Sequence, residues 1–593
     1  MKIFRLLADS KKKIKLWLDV YLSFIGLVLL AFLIVSIGFY LKPEQIYFTQ
    51  KILSIISYSF IVQEIVRLII ISDLKGYLKE RKVETILSFL ILLQLLFPNQ
   101  IYELFKNIFN EFTFHKLTIL YLVILSLSIF FVFLLRSLRY NHLISKINIH
   151  PSGILALSFA FIILIGTLFL MLPRAIPAGK TISFVDALFT STSAVCVTGL
   201  TILDTGADFT LTGQIIILFL IQIGGLGIMT LTTFFAVFFT GGISLKVRIM
   251  MKDMISPENL EEVTGLLFKI LSYTILIEAA GAFLLYLSLE GSFSSFDAKS
   301  VYSSIFHSVS AFCNAGFSLF SDNLINRTIA DNYFFSTVIM LLIILGGLGF
   351  IVLSNLASLN PFRKSFKLKF QLKLQTKIVL LTTTILIFGG GTLIYLAEPF
   401  KFAAGKTFAW KYFHSVFVSV TSRTAGFNTT PTALLSPAVS MIAIVLMWIG
   451  ASPGGTGGGI KTTTISITLL NLFNIIRGRE RLEIFHKEIP HENINRSYLI
   501  ILCSLIALGL CSTILMMVEP DKEALNLIFE ATSALGTVGL SRDVTPYLGD
   551  GGKYIIIFLM YIGRIGVLTF FLAFYKPHKE LSYSLPKEFV NVG

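Results

Sequence analysis

Apolar stretches long enough to cross a bilayer, punctuated by short basic segments, constrain this chain more than any other feature. They lie near residues 17–41, 51–73, 83–97, 117–136, 153–173, 213–240, 264–289, 333–357, 377–397, 437–475, 496–518 and 552–575. About 20 apolar residues in a helix cover the hydrocarbon core of a membrane. Lipid cannot hydrogen-bond a backbone, so each stretch is expected to satisfy its own amides and carbonyls as a helix. Twelve helices follow, four before residue 150 and eight after. Composition agrees: of 593 residues 55% are hydrophobic and 14% charged, against roughly 25% charged in soluble domains. A soluble chain of this length could not bury so much apolar surface.

The formal charge of +15 would suggest nucleic acid in a soluble protein. Here the cations sit between the apolar stretches: Lys11, Lys12, Lys13 and Lys15; Lys75, Lys79, Arg81 and Lys82; Lys246, Arg248 and Lys252; Arg363, Lys364, Lys367, Lys369 and Lys373; Arg477, Arg479 and Arg481. That is the positive-inside pattern of cytoplasmic loops, and it places the N-terminus inside. No basic face belongs to a soluble domain, which excludes nucleic acid as a partner. The N-terminus has basic residues and then a long apolar run without a small-residue cleavage site, which reads as a retained first helix. The four cysteines, Cys196, Cys313, Cys503 and Cys511, show no metal-ligand spacing and suit apolar packing.

The last eight stretches form four pairs. Each pair encloses a segment carrying one of four related strings: TSTSAVCVTGLT, HSVSAFCNAGFS, SVTSRTAGFNT and EATSALGTVGLS. Aligned on one glycine, they set Gly199, Gly316, Gly426 and Gly539 in equivalent places, each followed by Leu200, Phe317, Phe427 or Leu540 and preceded by small or hydroxyl residues. A second glycine cluster begins further on in each pair, at Gly224, Gly346, Gly450 and Gly563. Repetition at this length implies duplicated units. Helix-packing glycines alone would explain one or two such clusters, not four matching strings.

The physics of this pattern suits a cation pore. A dehydrated K⁺ needs replacement oxygens, and stacked rings of backbone carbonyls supply them. Aiming successive carbonyls inward requires alternation between ordinary and left-handed dihedrals, which glycine permits. A hydroxyl-rich run before each glycine is expected to end a short pore helix whose C-terminal partial charge favours a cation. The expected filter positions are Val197, Thr198 and Gly199; Asn314, Ala315 and Gly316; Thr424, Ala425 and Gly426; and Thr537, Val538 and Gly539. Their backbone carbonyls alone would coordinate K⁺.

These strings resemble the Trk/Ktr/HKT superfamily of K⁺ and Na⁺ transporters over about residues 150–575. The resemblance implies an all-α membrane protein with four M1–pore loop–M2 repeats around one pore. It implies a chain that is not an enzyme and has no cofactor, with K⁺ as its cargo. Family members with glycine in the first filter prefer K⁺, and Gly199 stands there. Also implied are a homodimer in the cell membrane and a cytoplasmic nucleotide-binding regulatory ring supplied by another chain. The expected divisions are 1–150 for extra N-terminal helices, 151–250, 251–362 and 363–480 for the first three repeats, and 481–593 for the fourth with a short tail. The extra helices carry Glu64, Arg67 and Asp73, then Arg136, Arg139 and Lys146. A voltage sensor needs regularly spaced cations; cytoplasmic-end basic residues on a structural appendage account for these more simply.

Further sites follow from local chemistry. The segment ASPGGTGGGIKTTT, residues 451–464, cannot continue a helix through Pro453 and its glycines. Gly454, Gly455, Thr456, Gly457, Gly458 and Gly459 are expected to form a gate loop beneath the filter, where the family resembled here has one. Lys461 adjoins this loop, and Arg564 is a cation in an apolar helix, expected beside it. Arg423 and Glu530 flank the third and fourth filter strings and are expected to be hydrogen-bonded behind them, with each other as one candidate pairing. An intramembrane enzyme finds no motif support, and a non-conducting scaffold would need no such strings. Within transport, Na⁺ permeation is the closest alternative.

Overall fold

The computed structural model describes residues 42–70, 151–226, 263–290, 297–358, 372–399 and 405–574 continuously, with single positions within 14–40 and 85–96. The chain is an all-α membrane protein. Strand among the described residues is limited to a hairpin of β1 (Glu483–Ile484) and β2 (Lys487–Glu488). Of the N-terminal helices, α1 (Pro43–Ile70) holds Glu64 and a buried Arg67. Asp73, Arg136, Arg139 and Lys146 lie outside the described residues, so the choice between sensor and appendage does not arise from them.

One order of elements then recurs four times: an outer helix, a short helix, an inner helix. The outer helices are α2 (Pro151–Leu170), α5 (Val263–Glu290), α9 (Leu374–Thr384) continuing through a π-helical turn into α10 (Gly390–Ala397), and α14 (His491–Val518). The short helices are α3 (Phe184–Val195), α6 (Ala298–Phe312), α11 (Phe408–Thr421) and α15 (Ala524–Gly536). The inner helices are α4 (Leu211–Gly225), α7 (Tyr333–Leu348) with α8 (Phe350–Ser358), α12 (Pro437–Trp448) with α13 (Thr462–Ile476), and α16 (Asp550–Ile565) with α17 (Val567–Phe574). Three of the short helices start at polar caps: Ser183 accepts from the Asp186 amide, Asp297 from Lys299 and Ser300, and Thr407 from Trp410.

Hydroxyls in a buried helix need partners, and three units solve this alike. Ser191, Ser308 and Ser419 donate to the Ile163, Glu278 and Leu386 carbonyls of their outer helices at 2.7, 2.7 and 2.9 Å. A glycine in each outer helix, Gly166, Gly281 or Gly390, leaves room for the serine. Neighbouring units interlock in sequence: α4 packs on α6, α7 on α11, α12 on α15, and α16 returns to α3. Lys553 of α16 pairs with Asp186 of α3 at 2.7 Å across that last junction. The four units therefore close a ring.

The inner helices depart from the sequence expectation. The stretches 333–357 and 552–575 read as single spans, yet α7 meets α8 at 98° and α16 meets α17 at 93°. Each corner is one glycine with left-handed backbone, Gly349 at φ 89° and Gly566 at φ 94°. A side chain on Gly349 would stand 2.6 Å from the Pro453 carbonyl, so the corner is also a close approach. The stretch 437–475 is two helices flanking the glycine-rich segment, as its proline and glycines require.

Candidate functional site

Each short helix ends just before its glycine, and the backbone then alternates. Val197, Asn314, Thr424 and Thr537 are left-handed at φ 56°, 60°, 75° and 51°. Gly199, Gly316, Gly426 and Gly539 follow two residues later at φ 91°, 70°, 74° and 95°. Thr198, Ala315, Ala425 and Val538 stand between them and are not left-handed. A non-glycine residue rarely holds a positive φ; four at equivalent places indicate that the surroundings impose it. All eight non-glycine residues are fully buried.

The glycines meet one another. A Cβ on Gly199 would run into the Ala315 carbonyl and stand 3.1 Å from the Gly316 Cα. One on Gly316 would lie 2.6 Å from the Ala425 carbonyl and 2.9 Å from the Gly426 Cα. One on Gly426 would lie 2.6 Å from the Val538 carbonyl and 3.1 Å from the Gly539 Cα. From Gly539 the contacts are the Thr198 carbonyl and, at 3.0 Å, the Gly199 Cα. Four backbones thus form a closed circle, each glycine against its neighbour's preceding carbonyl. The hydroxyl-rich runs brace it: Ser193 and Ser533 accept from the Gly199 and Gly539 amides at 3.1 Å, and Ser310 and Thr421 donate to the Phe317 and Phe427 carbonyls at 2.7 and 2.6 Å.

Two cavities flank the circle. One, of about 310 Å³, is lined by the four glycines with Asp204, Asp322 and Asp543. The other, of about 350 Å³, is lined by Gly454, Gly455, Gly457, Gly459, Lys461 and Arg564 among others. The segment between α12 and α13 lies against the inner ends of three strings. The Gly458 amide donates to the Thr537 hydroxyl at 2.9 Å, the Thr456 hydroxyl to the Phe312 carbonyl at 3.2 Å, and a side chain on Gly457 would strike the Thr424 hydroxyl. Its own backbone is tied to the second inner helix, with the Ser452 and Thr456 amides donating to Gly347 and Gly346 at 2.9 and 3.1 Å. Lys461 Nζ donates to the Gly457 carbonyl at 2.8 Å. Arg564 donates to the carbonyls of Thr456 and Gly224, joining the segment to the first and fourth inner helices.

The second glycine clusters have a packing role. Gly224, Gly346 and Gly563 sit against the Val195, Phe312 and Leu535 carbonyls, so these three inner helices touch the C-terminal ends of their own short helices, whereas Gly450 sits against the Gly458 carbonyl. Glu530 is buried and accepts from Ser541 at 2.6 Å, Thr545 at 2.6 Å and the Arg542 amide at 2.9 Å. The expected pairing of Arg423 with Glu530 does not form; those three donors already occupy the carboxylate, and the Arg423 Nε has no partner. Sequence reasoning missed Arg542. Its guanidinium donates to Asn526 at 2.7 Å, to the Leu435 and Ala433 carbonyls at 3.2 Å each, and to Ser440, fastening the fourth string to the loop after the third. The only sequence signal was a cation three residues after Gly539.

The family model described as TrkH, cation transport protein, matches residues 122–584. The potassium/sodium uptake protein NtpJ of Enterococcus hirae is 37% identical, covering 75% of this chain and 98% of that one. The Ktr system potassium uptake protein B of Bacillus subtilis is 36% identical, covering 75% and 97%. Among solved structures, the potassium transporter TrkH of Vibrio parahaemolyticus matches with a TM-score of 0.59 at 17% identity, covering 76% of this chain and 91% of that one. The sequence strings, the fourfold helical architecture and these matches agree: the chain belongs to the TrkH family of cation transport proteins, a family of transporters and not of enzymes.

Proposed function

We propose that this protein takes up K⁺ across the cell membrane through the glycine circle, with the carbonyls of Val197 to Gly199, Asn314 to Gly316, Thr424 to Gly426 and Thr537 to Gly539 as its selectivity filter. The observation that carries this reading is the closure of the circle by four backbones of the same alternating conformation. Alternation turns successive carbonyls the same way, and four strands supply the ring that replaces a K⁺ hydration shell. The three aspartates in the outer cavity favour cation entry. The relatives' names speak of potassium uptake, which supports the same cargo. In this reading residues 151–250, 251–362, 363–480 and 481–593 are the four repeats, and the N-terminus faces the cytoplasm.

Residues 454–459 act as the gate, held shut by Lys461 and Arg564, with Arg423 and Glu530 supporting the filter from behind. Opening breaks a small set of bonds, so a partner that binds the open state better can bias it. The partner is a cytoplasmic nucleotide-binding ring acting on a homodimer; the name of the Bacillus relative, a Ktr system protein, supports a transporter of several components. A Na⁺-permeable variant of the same pore is the second reading, favoured by the potassium/sodium name of the Enterococcus relative.

The test is uptake of K⁺ and Na⁺ in a host lacking its own K⁺ uptake, with and without a ring-forming partner. K⁺ uptake with a preference over Na⁺ is expected, and Gly199→Ser should erode that preference, because a Cβ there meets the Ala315 carbonyl. Na⁺ uptake without K⁺ preference would establish the second reading. Unchanged selectivity in Gly199→Ser would remove Gly199 from the filter.

A further inference from the structure

Three of the four short helices hold the strand beyond their own glycine by a buried ionisable side chain. In the second unit this is His307, fully buried, nine positions before Gly316. Its Nδ1 lies 2.8 Å from the Ser303 carbonyl. A carbonyl only accepts, so Nδ1 carries the hydrogen and Nε2 of the neutral ring is left as an acceptor. The Ser318 hydroxyl, two positions after Gly316, donates to Nε2 at 3.0 Å and accepts from the Phe320 amide at 3.0 Å. Phe320 stacks on the imidazole with centroids 4.5 Å apart. The result is one directed chain from the Phe320 amide through Ser318 and His307 to the helix carbonyl, in which each bond polarises the next.

The fourth unit repeats this with a different group. Glu530 holds the same offset before Gly539, and its bond to Ser541 falls on the same position after it. In the third unit a histidine one helical turn earlier, His414, meets Thr429 at 2.7 Å, three positions after Gly426. The first unit lacks such a link: Thr190, nine before Gly199, returns its hydroxyl to Asp186 of its own helix at 2.9 Å.

We propose that His307 is a positioning residue for cation selection and that His414 does the same in the third unit, each acting through the hydroxyl it holds. The proposal rests on the reading of the glycine circle as the filter. Ser310 holds the Phe317 carbonyl and His307 holds the Ser318 hydroxyl, so the strand is fixed at the two residues after Gly316, and the Gly316 carbonyl keeps its aim only while both holds persist. A strand freed at Ser318 can rotate its peptides towards a smaller or hydrated ion at lower cost.

The experiment measures K⁺ uptake against competing Na⁺, with KM and maximal rate normalised to protein in the membrane. His307→Phe keeps a ring and removes both nitrogens. His307→Gln restores a polar group near Nε2, and Ser318→Ala removes the same bond from its other end with little change in volume. His307→Phe and Ser318→Ala should each lower K⁺ preference and raise the K⁺ KM by about tenfold, the scale of one buried hydrogen bond. The maximal rate per protein should hold, and His307→Gln should recover most of the preference. Wild-type KM and selectivity in Ser318→Ala would overturn the proposal, even where His307→Phe fails to reach the membrane. Gly199→Ser measured in parallel separates the two failures. If it shifts selectivity while Ser318→Ala does not, only the positioning role falls; if it too is silent, the filter reading falls.

Discussion

The glycine circle and the segment between α12 and α13 are both glycine-rich, both buried, and in contact, yet only the segment is held in part by side chains that can let go. Around the circle every glycine faces backbone: a neighbour's carbonyl and a neighbour's Cα. Backbone in a closed ring cannot step aside by a rotamer change, so a Cβ on any of these glycines forces the strands themselves to shift. The segment below is tied by backbone to the second inner helix, but its remaining anchors are side chains. Arg564, Lys461 and the Thr537 hydroxyl hold its carbonyls and amides, and each can swing away by a rotamer change. Glycine therefore serves precision in one place and close seating against removable latches in the other. The segment's glycine run is also less free than its composition suggests, since several of its glycines leave no space for a Cβ.

This contrast can be broken by substitution, and the largest effect belongs to the circle. Gly316→Ala adds a Cβ 2.6 Å from the Ala425 carbonyl at a residue with φ 70°. Discrimination between K⁺ and Na⁺ should fall by about 100-fold, close to 2.7 kcal/mol, measured by competitive uptake. Wild-type discrimination in that variant would show the circle to be compliant. Arg564→Gln comes next. It removes the charge from bonds to two carbonyls while leaving an amide donor in the side chain, and K⁺ flux without any partner should rise about tenfold, the scale of one hydrogen bond. A partner-free flux equal to wild type would mean that Arg564 is not a latch. Lys461→Met should act in the same direction but more weakly, about threefold in the same assay, because its stronger contact is a single carbonyl. A larger effect than Arg564→Gln would reverse the order of the two latches.

Much of this was legible in the chain itself, for identifiable reasons. Alternating left-handed backbone demands glycine at one position, so Gly199, Gly316, Gly426 and Gly539 stood out together. Pro453 and its glycines announced a broken helix because no α-helix absorbs them. The corners at Gly349 and Gly566 were hidden because each closes a glycine cluster that reads equally well as close helix packing within one apolar run. What bends the second inner helix is a contact with residues 453–455, about 100 positions away, which no local pattern records. Glu530 was found as a buried carboxylate, but its donors Ser541, Arg542 and Thr545 belong to the next loop, and the guess of Arg423 overlooked them. His307 and His414 escaped notice because their offsets from the glycine differ by one helical turn, which hides their shared role.

The ring closes through α16 on α3, sealed by Lys553 and Asp186, which are 367 positions apart. During synthesis the first unit therefore enters the membrane with its final neighbour not yet made. Until the last inner helix emerges from the ribosome, Asp186 lacks that cation and α3 has an uncovered flank in lipid. Chain termination anywhere before residue 553 leaves an open arc, with the face of α3 that meets α16 uncovered. Three finished units therefore do not make three-quarters of a ring.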